Sequence, residues 1–278
     1  MSDDRPGGRK PRNDNHRPEA PAEKPRILDD LIMGLRFFSR LPTGDWPHER
    51  PDLGRIAMAL PFASLLIGLL PALVLLLASL IGLPRLFAAG LAVGVLAVVT
   101  GGMTEDAIAD AADGLFGGSS PERRLEIMKD SRHGTYGVTA LCLFLLLRVS
   151  ALAAMTGIDP FHSAAVWLGT GLMARSGALW LTVALPPARS TGASASAGRV
   201  GKPAFGLGGI FALILGLILT APVAGLAAFL AAIAAIALIA AAWTQACRRL
   251  VGGQTGDLIG ALQALMEVAA LAVFMALG

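Results

Sequence analysis

From residue 56 onward the chain alternates between long apolar runs and short polar connections. Seven runs are predicted to be membrane helices: 56–83, 86–99, 136–155, 161–185, 205–220, 226–243 and 258–277. A run of about 20 apolar residues matches the hydrocarbon thickness of a bilayer, and a helix satisfies its own backbone there. Pro61 and Pro71 are expected to kink the first run. Pro222 and Gly225 separate the fifth from the sixth. Ahead of these, residues 27–41 (ILDDLIMGLRFFSRL) place Leu28, Leu31, Ile32, Leu35 and Phe38 opposite Asp29, Asp30 and Arg36. That segment is too short and too charged to span. It suits an interfacial helix or one packed on the membrane domain. Residues 1–26 are rich in Pro, Arg, Asp, Asn and Gly and are predicted to be disordered. The expected fold is all-α: a polytopic membrane bundle of about seven transmembrane helices with cytoplasmic interfacial helices. It divides into a disordered cytoplasmic tail, 1–26, and an integral membrane catalytic domain, 27–278.

Composition agrees and excludes a soluble globular chain. Hydrophobic residues make up 54%, charged ones only 15%, and the mean hydropathy is +0.64. The net charge of +3 is small and its cations sit in the connections, so they read as topology signals and no nucleic-acid partner is expected. With the N-terminus inside, the tail and residues 101–135, 186–204 and 244–257 share one face. They hold nearly all the Lys and Arg outside the runs, against Arg85 on the other side. This positive-inside pattern predicts a multi-pass protein with membrane lipid as its surroundings and its N-terminus and polar segments in the cytoplasm. Cys142 and Cys247 both lie in or at apolar segments and form no disulfide or zinc pattern.

The chemistry concentrates in residues 101–137, GGMTEDAIADAADGLFGGSSPERRLEIMKDSRHGTYG. Asp106, Asp110 and Asp113, spaced four and then three apart, share one stripe of a helix. At 4 Å each like-charge pair costs on the order of 4 kcal/mol at an effective dielectric of 20. A divalent cation removes that cost, and Mg²⁺ prefers oxygen ligands. Asp106, Asp110 and Asp113 are therefore metal and catalytic candidates, with Glu105 a weaker ligand pointing off the stripe. The basic run that follows suits a phosphorylated substrate, with Lys129 and Arg132 set to neutralise phosphate oxygens. Asp130 is a candidate to complete the metal shell or to accept a hydroxyl proton. In GGQTGD, Gly252, Gly253, Thr255 and Gly256 would let backbone donors approach phosphate, with Asp257 on metal or ribose. Arg148, Arg175 and Glu267 are charges inside apolar runs, where such groups face a cavity or a partner. Arg175 is both a candidate partner of Glu267 and a substrate-binding candidate.

Taken together, several stretches resemble the cobalamin synthase (adenosylcobinamide-GDP ribazoletransferase) family. They are FFSRLPTG (37–44), LPFASLLIG (60–68), TEDAIADAADGLFGG followed by ERRLEIMKDSRHGTYG, and GGQTGDLIGALQALME near the end. The resemblance covers the chain from about residue 30 onward. Thr104 stands where that family usually has His, and Ala107 where it usually has Gly, so a role for that histidine does not carry over. His133 falls at a usually aliphatic position. The resemblance implies a Mg²⁺-dependent enzyme of cobalamin biosynthesis. It would join α-ribazole or its 5′-phosphate to adenosylcobinamide-GDP and release GMP, in the cytoplasmic (inner) membrane; whether it works as a homo-oligomer or within a biosynthetic assembly is left open by the sequence.

Two other classes compete. CDP-alcohol phosphotransferases share the opening Asp110-Ala-Ala-Asp113-Gly114, but Leu115-Phe116-Gly117-Gly118 departs from their pattern. A transporter would favour carboxylates at mid-membrane and an internal repeat, whereas these carboxylates cluster at one end of the predicted runs.

Overall fold

A computed structural model of the chain describes residues 27–45, 50–130, 132–189 and 197–278. The tail expected to be disordered and the centre of the small-residue loop at 186–204 lie outside the described residues. The rest is helical, with no strand among the described residues. α1 (Ile27–Phe38) precedes α2 (Leu53–Leu80), α3 (Arg85–Thr100), α4 (Met103–Gly117) and α5 (Pro121–Ile127). α6 (Thr135–Thr156), α7 (Pro160–Ala178), α8 (Trp180–Ala184), α9 (Lys202–Ala224), α10 (Leu226–Leu250) and α11 (Gly256–Leu277) follow. The protein is an all-α, multi-pass membrane protein. Leu, Ile, Val and Phe side chains exposed along α2, α6, α9 and α10 are the lipid-facing surface that such a bundle requires.

All seven predicted runs are helical, but they are not equivalent. α2, α6, α9, α10 and α11 are each long and apolar enough to cross a bilayer. α3, with 16 residues, is about 24 Å long at 1.5 Å per residue, short of a hydrocarbon core about 30 Å thick. It turns through 87° into α4, so the two make a broken or re-entrant span. Gly101 and Gly102 form the corner, both in the left-handed region (φ 67° and 70°), which a side chain would disfavour. α7 packs against α2, α9 and α11 inside the bundle. Its His162, Thr170, Arg175 and Ser176 are buried, which makes it the most polar of the seven and dependent on its neighbours. Pro61 and Pro71 lie within a continuous α2. Pro222 lies within α9, and the break before α10 falls at Gly225 (φ 86°).

α1 packs on α2, with Met33, Gly34 and Phe38 buried. Asp30, assigned by its spacing to the polar face, is itself buried and takes Arg55 Nε at 2.7 Å. The polar connections gather at one end of the bundle. There Arg124 Nη1 donates to Leu250 O at the end of α10 (3.0 Å), and Leu53 N–H donates to Ala197 O (2.8 Å). At the other end Arg85, at the start of α3, packs against Gly157 at the close of α6.

Candidate active site

α4 packs against α6 and α11, reaching Gly137 and Arg148 of α6 and Gly260 and Gln263 of α11. Its small residues allow this: Ala107 packs directly on Gly260 of α11. At its buried start, Thr104 accepts from Gln263 Nε2 at 3.3 Å. Glu105 turns into the bundle and receives Arg148 Nη1 at 2.8 Å, while Arg148 Nη2 donates to Glu267 at 2.8 Å. Glu267 also accepts from Trp167 Nε1 at 3.1 Å. Glu105 is thus paired with a buried arginine through Oε1, while its Oε2 has no partner among the described residues and the residue also lines the open cavity at Asp106. Arg175 is buried beside Glu267 and Trp167 in a separate small cavity among α2, α7 and α11. Glu267, for which Arg175 is one candidate partner by sequence, is instead bonded to Arg148, and Arg175 lines neither cavity at α4.

The three stripe aspartates have different occupations. Asp113 is buried and accepts Gly134 N–H at 2.6 Å and Gly137 N–H at 2.8 Å, one on each oxygen. It caps α6, whose first N–H groups lack helical partners. The two glycines follow from this contact, since a Cβ at Gly134 would lie 2.6 Å from its carboxylate and one at Gly137 would overlap it. Asp113 therefore positions α6, each of its oxygens already accepting one N–H. Asp106 and Asp110 carry no such bonds. Burial, followed by the charges of Asp106 and Asp257, pushes Asp110 up to about 6, with His133 opposing. His133 Nδ1 stands 3.7 Å from Asp110 Oδ1.

Two cavities meet at Asp106. One of about 540 Å³ is open and polar, lined by Arg40, Gly101, Gly102, Glu105, Asp106 and His133. The other, about 170 Å³, is mostly apolar and reaches Asp106 and Asp257 from the α1 and α11 side. The Arg40 guanidinium packs over Gly101 and has no hydrogen-bond partner among the described residues.

The remaining candidates separate into near and far. Asp257 joins the α4 carboxylates and takes Arg189 Nη2 at 2.8 Å and the Thr255 hydroxyl at 3.3 Å. Thr255 caps α11 through Leu258 N–H. Gly253 is packed against the Pro186–Ala188 backbone, where Gln254 N–H donates to Pro186 O and Ala188 N–H to Gln254 O. Gly252 forms the left-handed turn (φ 73°) before it. Gly252, Gly253 and Thr255 thus build the loop that presents Asp257. Asp130 does not join the stripe. Arg132 clamps it with Nε at 3.0 Å and Nη2 at 2.7 Å, holding its carboxyl down at about 2. Arg132 is thereby largely occupied on an exposed loop, and Lys129 is exposed beside it. Sequence reasoning passed over Arg40, Phe37 and Phe38, although FFSRLPTG contains all three, and Arg189 in the loop after α8.

No three His, Cys, Asp or Glu side chains among the described residues converge closely enough to hold an ion. Mg²⁺ is commonly held by one or two carboxylates together with substrate phosphates. Asp106 and Asp110, hard oxygen donors whose mutual repulsion is not neutralised, fit that arrangement.

Fold and site together define a helical, multi-pass membrane protein with an acidic, arginine-edged polar site at one end of its bundle. Residues 30–275 match the family of cobalamin-5-phosphate synthase, and the chain belongs to that family. An adenosylcobinamide-GDP ribazoletransferase of Azorhizobium caulinodans is 44% identical over 250 residues, 88% of this chain and 95% of the relative. Proteins of the same name from Sinorhizobium medicae and Brucella anthropi are 42% and 40% identical. They cover 87% and 88% of this chain, and 94% and 96% of their own lengths. No solved structure matches the chain.

Proposed function

We propose that this protein joins ribazole, or its phosphate, to adenosylcobinamide-GDP and releases GMP, at the cytoplasmic face of the inner membrane. The observation that supports the reading is that Asp106 is shared by two cavities, an open one edged by Arg40 and His133 and a smaller one that reaches Asp257, with Asp110 coupled electrostatically to both aspartates. A ribose hydroxyl attacks the phosphorus nearer the corrinoid. The new O–P bond forms, the P–O bond to GMP breaks, and the hydroxyl proton leaves to the surrounding carboxylates or solvent. Such a displacement needs in-line positioning and charge neutralisation more than covalent help. Asp106 and Asp110 would hold a Mg²⁺ ion, which would supply positive charge to offset the charge that develops on the phosphates. Arg40 steadies the phosphates and Asp257 holds the ribose.

Purified protein in nanodiscs, given adenosylcobinamide-GDP, ribazole and Mg²⁺, is expected to yield GMP and a cobalamin product by mass spectrometry. Asp110→Asn should abolish turnover while leaving insertion and elution volume intact. Undiminished Mg²⁺-dependent synthesis by that variant refutes the assignment. Release of CMP from a CDP-lipid would move the protein to the CDP-alcohol phosphotransferases.

A further inference from the structure

We propose that the apolar cavity beside Asp106 is the seat of the ribazole base, so that the two reactants approach Asp106 from separate compartments. This rests on the transferase reading above and adds to it where the nucleoside lies.

The two cavities differ in what they can hold. The larger has Arg40 and His133 on its wall and stands open to solvent. The smaller is lined by Phe37 and Phe38 of α1, Leu179 after α7 and Ile259 of α11. Its only charged lining groups are the carboxylates of Asp106 and Asp257. Without a cation and with two carboxylates it repels a diphosphate. At about 170 Å³ it is far too small for a corrin ring. An apolar cavity of about 150 Å³ holds benzene, so this one, open at its carboxylate edge, suits a flat fused ring. Phe37 and Phe38 meet edge to face at 4.8 Å and offer the aromatic surface on which bases pack.

Of the two flat rings in the reaction, guanine fits worse. Its N1–H and N2–H₂ would find the two carboxylates, but its O6 and N7 are acceptors that meet no side-chain donor among the described lining residues, and its diphosphate would be drawn towards the same carboxylates. A benzimidazole presents C–H edges and a single ring-nitrogen acceptor. Seated there, its ribose lies at the mouth between Asp257 and Asp106, with a hydroxyl facing the larger cavity where the diphosphate sits.

Gly256 lines the smaller cavity, and a Cβ placed on it meets nothing within 4 Å. Gly256→Leu therefore fills the space without moving the backbone, and Phe37→Leu removes ring surface without filling it. Ribazole binding is read from its own fluorescence in the absence of the corrinoid, and KM is measured for each substrate separately. We expect Gly256→Leu to weaken ribazole binding and raise its KM by about tenfold or more, roughly 1.4 kcal/mol. Phe37→Leu should weaken both severalfold, and KM for adenosylcobinamide-GDP should stay within twofold in each variant. Unchanged ribazole binding in both variants, or a rise confined to the corrinoid KM, overturns the assignment. If the unaltered protein binds no ribazole and makes no product, the transferase reading fails first and the inference falls with it.

Discussion

Arg148 offers the sharpest test of how α4 is held. It is 1% exposed and bonded at 2.8 Å to Glu105 and at 2.8 Å to Glu267, with its guanidinium 4.1 Å from the Phe144 ring centre. Arg148→Met keeps the chain length and removes the charge. Glu105 and Glu267 then lose the partner they share, leaving Trp167 Nε1 as a donor to Glu267 and the buried charge of Arg175 close by. Losing one partner from a buried ion pair costs about 3–5 kcal/mol, a large share of the roughly 5–15 kcal/mol that folded proteins have in hand. At about 2–4 °C per kcal/mol for a chain of this size, the midpoint should fall by roughly 6–20 °C. Buried Cys247 reports the transition. In a Cys142→Ser background, its labelling by a thiol dye is followed on heating in detergent. The triple variant Glu105→Gln/Arg148→Met/Glu267→Gln should recover most of the loss, because neutralising a buried network as a whole is often near neutral. A single Arg148→Met variant as stable as the parent refutes the reasoning. So does a triple no better than the single, which would show that packing rather than charge carries the effect.

Three further outcomes follow from the site. Asp113→Asn leaves one of the two cap N–H groups at Gly134 and Gly137 facing an amide. It should cost about 1–3 kcal/mol of stability by the same thermal assay, whereas Asp110→Asn should lose turnover with no loss of stability. Arg40→Gln should raise KM for the diphosphate substrate by about tenfold, the size of one charge-assisted hydrogen bond, and leave ribazole binding unchanged. Asp110 is held at about 6 in the folded protein against an ordinary 3.8, so the folded state binds the extra proton. Its contribution to metal-free stability is complete below about pH 4 and is lost as the pH rises through 6. The pH dependence of the thermal midpoint across that window should flatten in Asp110→Asn. An identical slope in parent and variant would assign it to another group.

How much of this was legible in the sequence differs between scaffold and site. Hydrophobic runs identify membrane helices because each run must meet lipid or its neighbours with its own side chains. That holds for α2, α6, α9, α10 and α11. It weakens for α7, whose polar face is shielded by α2, α9 and α11, so that composition understates its burial. The corner between α3 and α4 was visible only as a glycine pair. The angle of 87° follows from two consecutive left-handed residues, and nothing in hydropathy encodes it.

Within the site, spacing identifies a carboxylate stripe but cannot say which member stays free. Asp106, Asp110 and Asp113 are equivalent by periodicity, yet Asp113 is claimed by the first N–H groups of α6, a helix that begins 22 residues later. The trace of that claim is in the sequence, at Gly134 and Gly137, where only hydrogen leaves room for the carboxylate. Read as paired with Asp113, these glycines separate the structural aspartate from the two that remain open. Asp130 shows the converse: a carboxylate two residues from an arginine is neutralised locally, without reaching across the fold. Asp257 is drawn to α4 because Ala107 and Gly260 let the two helices touch. An acidic residue in this chain is therefore placed by the small residues opposite it more than by its own neighbours, and a polar site at a membrane helix end is best sought where glycine and alanine face each other across two segments.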